Sequence, residues 1–159
     1  NFLNIGIIIN CMPKARFIHC RRHPLDNALS IYRANFAEGS TYASSLEDIA
    51  HILNLERILT TEYKKQFPHA FFTVDYERLT KDPEQQIRSL LSWLSWEWDN
   101  NYLNHSRNKH SIDTASVVQV RESIHKRSVG SWKNYHELLR PMAKILHKGM
   151  AMGSLFCCS

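Results

Sequence analysis

One stretch constrains this chain more than any other: Arg22-His23-Pro24-Leu25-Asp26-Asn27-Ala28-Leu29-Ser30-Ile31-Tyr32-Arg33. Before it lies Ala15-Arg16-Phe17-Ile18-His19-Cys20, a short run enriched in β-formers that reads as a buried strand. His23-Pro24 breaks that run. Proline suits the first position of a helix, and Asp26 falls in the first turn, where the helix dipole favours a negative charge. Leu25, Leu29 and Tyr32 recur at helical spacing. The order is strand, sharp turn, helix, with Arg22 at the strand's carboxyl end. In open α/β sheets ligands bind at that edge. Ser30 follows Arg22 by eight residues, which can place an arginine fork and a hydroxyl near one anion. The plainer alternative is a strand-end arginine beside its own helix, with a solvated serine.

The rest of the chain alternates in the same way. Asn1 to Asn10 reads as the end of a helix against a sheet, although its isoleucine run could equally be a strand; Pro13 stops it. The Arg22 helix is expected to reach about Phe36, with Glu38-Gly39-Ser40 as loop. Ser45, with Asp48 three residues later, opens a helix near a capping box. That helix has a broad apolar face from Leu46 to Leu59 and runs to Gln66 before Pro68. Phe71 to Tyr76 reads as a second buried strand, so the crossover implies a right-handed connection and a parallel pair. Tyr76 to Leu79 then leaves the ligand edge. Asp82 and Pro83 mark the N-cap and first position of another helix, with Ile87, Leu90, Leu91 and Leu94 on its buried face. Trp93, Trp96 and Trp98 read as aromatic packing under a loop rather than as a base-stacking platform. Asp99-Asn100-Asn101 is a turn cluster, and 104–114 is polar and irregular. A last helix spans Leu138 to Lys148, with Pro141 near its start and Gly149 ending it; 149–159 shows no pattern.

A second informative region is Lys126-Arg127 followed by Val129-Gly130-Ser131-Trp132-Lys133. Glycine permits close backbone approach, and the flanking cations can neutralise a phosphate. Taken alone, such a cluster is usually a solvated face.

Arg22-x-Pro24-x-Asp26-x-x-x-Ser30-x-Tyr32 resembles the 3′-phosphate-binding segment of sulfotransferases that use PAPS (3′-phosphoadenosine 5′-phosphosulfate). Lys126-Arg127 before Gly130-Ser131-Trp132-Lys133 resembles their carboxyl-terminal PAPS-binding segment, in the correct order. The spacing is similar to tyrosylprotein sulfotransferases and to bacterial sulfotransferase domains fused to helical repeats. The resemblance implies an α/β fold with a three-layer parallel sheet of the P-loop nucleoside triphosphate hydrolase-like type. It implies that Arg22 and Ser30 hold the 3′-phosphate, that Tyr76 lies near the nucleotide, and that Lys126, Arg127 and Gly130 serve the same ligand. Ser116 corresponds loosely to a serine that helps stabilise the transition state. The acceptor implied is a hydroxyl on a protein tyrosine, a sugar or a small alcohol, and no metal is required.

Two departures stand out. The family's phosphate loop, Pro-x-x-Gly-Thr-like, has no counterpart, since the glycines at 6, 39, 130, 149 and 153 lie in no such motif. The family's catalytic base, a glutamate or histidine, lies upstream of the arginine segment, and none of the nine histidines matches it. His23 is read as a turn residue. The expectation is therefore the carboxyl-terminal part of a sulfotransferase over residues 1–148, incomplete at its N-terminal side and inactive alone, with an unpatterned tail over 149–159.

Composition sets outer limits. The 159 residues fit one domain, and 43% hydrophobic content is ordinary for a soluble globular chain. A net charge of +5 suits an anionic ligand but is too mild to call for nucleic acid. Cys11 and Cys20 are isolated and Cys157-Cys158 adjacent, which matches neither zinc spacing nor a disulfide framework. A reducing compartment, the cytoplasm, is the expectation. Phe2 to Ile9 is too short to span a bilayer and lacks the flanks of a signal peptide. Two other readings compete: a P-loop nucleotide kinase, which lacks its Gly-Lys-Ser/Thr signature here, and a non-enzymatic module that binds anions or proteins.

Overall fold

The computed structural model describes residues 2–34, 41–103 and 127–155, with the side chains of 41 and 149–155 left aside. Its elements in order are α1 (Ile5–Cys11), β1 (Phe17–Arg21), α2 (Pro24–Ala34), α3 (Leu46–Gln66), β2 (Phe71–Asp75), α4 (Tyr76–Lys81), α5 (Pro83–Leu94) and α6 (His136–Leu155), with short 3-10 turns between several of them. The described residues are mostly helical, with one two-stranded parallel sheet, β1 beside β2. The α/β reading and the parallel pairing stand. The three-layer sheet goes beyond these two strands.

The chain divides into two compact units. The first comprises Asn1–Phe17, Arg22–Phe71 and Gly130–Ser159. Its main core joins α2, α3 and α6: Ala28, Leu29, Ile49, Ala50, Leu139, Met142 and Leu146 are buried together, and Leu25, Leu53, Trp132 and Ile145 pack around them. Asn54 reaches across this core, donating from Nδ2 to the Ile145 carbonyl at 3.1 Å. A smaller cluster forms where α1 meets the end of α3: Ile5, Ile9 and Phe71 are buried, and the Phe17 ring stacks on Phe71 at 5.0 Å. The isoleucine run is thus helical. Gly6 allows it to lie close to α3, because a Cβ there would stand 3.0 Å from the Tyr63 hydroxyl.

The second unit comprises Ile18–Arg21 and Phe72–Val129. Val74 and Leu91 are its buried apolar residues among those described, and Trp93 tilts against Phe72 at 5.5 Å. Trp98 lies under the Arg88 guanidinium at 3.9 Å, whereas Trp96 is 62% exposed. The three tryptophans therefore do not form one packed group.

Several boundaries follow from capping chemistry. Ser45 Oγ accepts the Asp48 N–H at 3.2 Å and opens α3. Asp82 Oδ1 accepts the Gln85 N–H at 3.1 Å, with Pro83 next, and opens α5. Ser95 closes α5 in the left-handed region, where the Trp96 N–H returns to the Leu91 carbonyl at 2.9 Å.

Two expectations are corrected. β1 is not a buried strand: Ile18 is 46% exposed, and Cys20 and Arg21 are exposed too, because β2 is its one hydrogen-bonded neighbour among the described residues. The last helix begins two residues earlier than expected and continues through Gly149 to Leu155, so 149–155 is not an unpatterned tail. A single glycine costs a helix only about 1 kcal/mol, less than its flanking turns can supply. The expected loop at Glu38-Gly39-Ser40 and the irregular stretch 104–114 lie outside the described residues.

Leu139 is fully buried at the centre of the α2–α3–α6 core. Leu139→Ala should lower unfolding free energy by about 2–5 kcal/mol, read from the urea midpoint. A loss below about 1 kcal/mol would mean that α6 does not form this core in solution.

Candidate functional site

The first unit brings together the Arg22 segment and the Gly130–Lys133 part of the second segment. Asp26, in the first turn of α2, is 2% exposed. Its Oδ2 accepts the backbone N–H of Gly130 at 2.7 Å, and its Oδ1 accepts that of Trp132 at 2.9 Å. Burying a carboxylate is expensive unless donors satisfy it, and here each oxygen has a charge-assisted partner. Gly130 has φ +76°, a left-handed conformation that side chains resist. It precedes a 3-10 turn over Ser131–Tyr135. Left-handed residue followed by helical turn is the geometry that aims nearby N–H groups at one anion. The anion they meet is the Asp26 carboxylate.

His23 reinforces the join. Its carbonyl accepts the Asn27 N–H at 2.9 Å and so opens α2. Its ring lies parallel to that of Trp132, with centroids 5.1 Å apart and planes 1° apart. Trp132 in turn packs against the helical core. Sequence reasoning placed Asp26 near the helix dipole; its partners, more than a hundred residues away, left no local signal.

The expected site residues divide between the units. Arg22, Ser30 and Gly130 belong to the first. Arg22 directly follows β1 and is half-buried; Ser30 is exposed on α2, one turn beyond Asp26. A guanidinium and a hydroxyl are both donors suited to a phosphate, and the nearby Asp26 oxygens already accept backbone N–H groups. Donors of this kind suit an anionic group. Tyr76 and Arg127 belong to the second unit. Tyr76 stands at the carboxyl end of β2, and its hydroxyl is 2.9 Å from Ser128 Oγ; Arg127 is exposed. Ser116 and Lys126 lie outside the described residues.

The sequence reading also missed the charge pair at the strand ends. Arg21, the last residue of β1, donates to Asp75 Oδ2, at the end of β2, at 2.8 Å. The other Asp75 oxygen accepts the Arg78 N–H at 3.2 Å and opens α4. Aspartate three residues before a backbone partner is a readable N-cap signal that was overlooked. Partial burial would raise the Asp75 pKa, but the Arg21 hydrogen bond, the Arg78 N–H and the Arg21 charge outweigh it and hold it below the ordinary carboxylate value.

Comparison with known proteins decides the family. The model of the Sulfotransferase family matches residues 1–100.

The chain belongs to the sulfotransferase family.

It is also 38% identical over 152 residues to an uncharacterized protein of Aquifex aeolicus (strain VF5). That alignment takes in 94% of this chain but 20% of the relative, so the chain spans about a fifth of the relative's length. The family match contains Arg22, Ser30 and Tyr76, and the alignment to the relative is long enough that it must include part of the region around Gly130. Among the described residues no group of histidine, cysteine, aspartate and glutamate could hold a metal ion, and no helix is long and apolar enough to cross a membrane.

The lowered Asp75 pKa sets a pH dependence. A depressed carboxylate pKa adds stability above the unfolded value of about 3.9, which is lost as pH falls through the folded pKa. Asp75→Asn should therefore flatten the acid limb of the stability curve below about pH 4. Arg21 is 63% exposed, so the effect is expected to be small and reduced by salt. An unchanged acid limb at low salt would show that the pair does not form.

Proposed function

We propose that this chain supplies the nucleotide grip of a PAPS-dependent sulfotransferase. The observation that supports the reading most is the Asp26 junction: the helix carrying Ser30 and the Gly130–Lys133 segment, both singled out by the resemblance, are held together by a buried carboxylate. A fold that joins these two segments in this way is what a shared nucleotide site requires.

In the complete enzyme, PAPS supplies a sulfuryl group that passes to an acceptor hydroxyl as the bond from sulfur to the 5′-phosphate oxygen breaks. Arg22 and Ser30 orient the nucleotide through its 3′-phosphate, by a planar guanidinium fork and a hydroxyl donor. The resemblance adds Tyr76, Lys126, Arg127 and Gly130 to the nucleotide contacts and Ser116 to transition-state stabilisation. A base carried outside these residues takes the acceptor proton. Positioning and electrostatic stabilisation do the work, as in phosphoryl transfer, and the reading calls for no metal. The acceptor is a hydroxyl of a protein tyrosine, a sugar or a small alcohol.

Calorimetric titration with PAP, the desulfated product, against ATP tests the class. Preference for PAP is expected; preference for ATP would favour a P-loop kinase, and binding of neither a non-enzymatic module. Arg22→Ala should weaken PAP binding by about ten- to a hundredfold, since hydrogen bonds to charged groups contribute roughly 1.5–3 kcal/mol. Arg22→Lys should recover part of that loss. Adenosine 5′-phosphosulfate, which lacks the 3′-phosphate, should be almost insensitive to Arg22→Ala. Equal losses for both ligands would assign Arg22 to holding up the turn.

The 159-residue chain alone should transfer no sulfate from PAPS to tyrosine peptides or sugars, because it contains no Gly-rich phosphate-loop sequence. Turnover above the buffer blank would place the missing functions within these residues.

A further inference from the structure

We infer that the parallel rings of His23 and Trp132 form a clamp that aims Arg22, which makes both of them positioning residues for the 3′-phosphate contact. The inference rests on the PAPS reading above and adds the means by which its leading arginine is held.

Arg22, His23, Asp26 and Trp132 all belong to the first unit. An arginine meets a phosphate through its planar fork most cheaply when its direction is set beforehand, because ordering a long side chain on binding costs free energy. Helix α2 cannot set that direction by itself, since it begins two residues later at Pro24. Proline pushes the residue before it, His23, out of the helical region, which narrows the turn without fixing it. The structure supplies two further constraints at that residue. The His23 carbonyl accepts the Asn27 N–H at 2.9 Å. The His23 ring lies on Trp132, with planes 1° apart and centroids 5.1 Å apart. Backbone and side chain are tied at once, and the planar peptide that His23 shares with Arg22 is held with them.

Trp132 is anchored independently of His23. Its N–H donates to Asp26 Oδ1 at 2.9 Å, and its ring packs on the α2–α3–α6 core. His23 is exposed, so its ring adds little buried area; what the stack contributes is orientation. Arg22 is half-buried and its Nε is fully enclosed, so its side chain runs through packed surroundings rather than open solvent. A small rotation at His23 would therefore be carried into the guanidinium.

The test is calorimetric titration of the 159-residue chain with PAP at one fixed salt concentration. His23→Ala removes the stack at an exposed position, where substitutions seldom disturb folding. It should raise the Kd for PAP about three- to tenfold, the range an aromatic pair can supply. His23→Phe keeps a ring on Trp132 and should restore most of the affinity. Trp132→Leu keeps an apolar contact with the core but loses the ring, and should match His23→Ala. On an Arg22→Ala background His23→Ala should have almost no further effect, because no guanidinium is left to aim. Additive losses in that cycle would overturn the inference and make the stack a general support of the turn. Failure of His23→Phe to restore binding would overturn it too, by assigning the loss to polar contacts of the imidazole. So would an unchanged Kd in His23→Ala. No binding of PAP by wild type would instead overturn the nucleotide reading itself. If Trp132→Leu fails to fold, the His23 series decides.

Discussion

The arrangement of the first unit depends on one buried carboxylate. Asp26 is enclosed at the start of α2, and its two oxygens accept the backbone N–H groups of Gly130 and Trp132. The fold accepts that burial because a left-handed glycine and the turn behind it deliver two backbone N–H groups to the same place. The dependence is mutual. Gly130 and Trp132 would be left with unmet donors if the acid were removed, and Trp132 would lose the contact that seats it between His23 and the helical core.

Around that junction the helices provide the rigid support. Leu139 and Met142 of α6 and Ile49 of α3 are fully buried against Ala28 and Leu29 of α2. The helix that carries Asp26 and Ser30 is thus packed on the face opposite its exposed residues. In the second unit, Arg21 and Asp75 perform a related task at lower cost. Their bond ties the carboxyl ends of the two parallel strands, and the same aspartate caps α4, whose first residue is Tyr76. In both units an aspartate does structural work next to residues proposed for ligand binding. One works in a dry setting and the other in a partly solvated one.

Local signals carried much of this architecture. Ser45 with Asp48, and Asp82 with Pro83, stated where α3 and α5 begin, because capping needs only neighbouring residues. Strand, turn and helix around Arg22 were legible for the same reason. The end of α6 was not, since a glycine is a weak stop when helix formers follow it. The exposure of β1 was not either: a run of β-formers reports that a strand is favourable, not how many neighbours it has.

The sequence by itself therefore determined the strand, turn and helix around Arg22, the starts of α3 and α5, the parallel pairing and the family, because each is written in residues a few positions apart or in motifs kept in order. Tertiary structure alone decided what Asp26 is for. A carboxylate in a first helical turn looks like a dipole contact until distant N–H groups arrive, and their arrival depends on how α6 packs on α2 and α3. It also decided that Arg21 and Asp75 meet, since two strand ends become neighbours only when the crossover has closed. Contacts between distant residues are set by packing, and packing is a property of the whole chain rather than of any window in it.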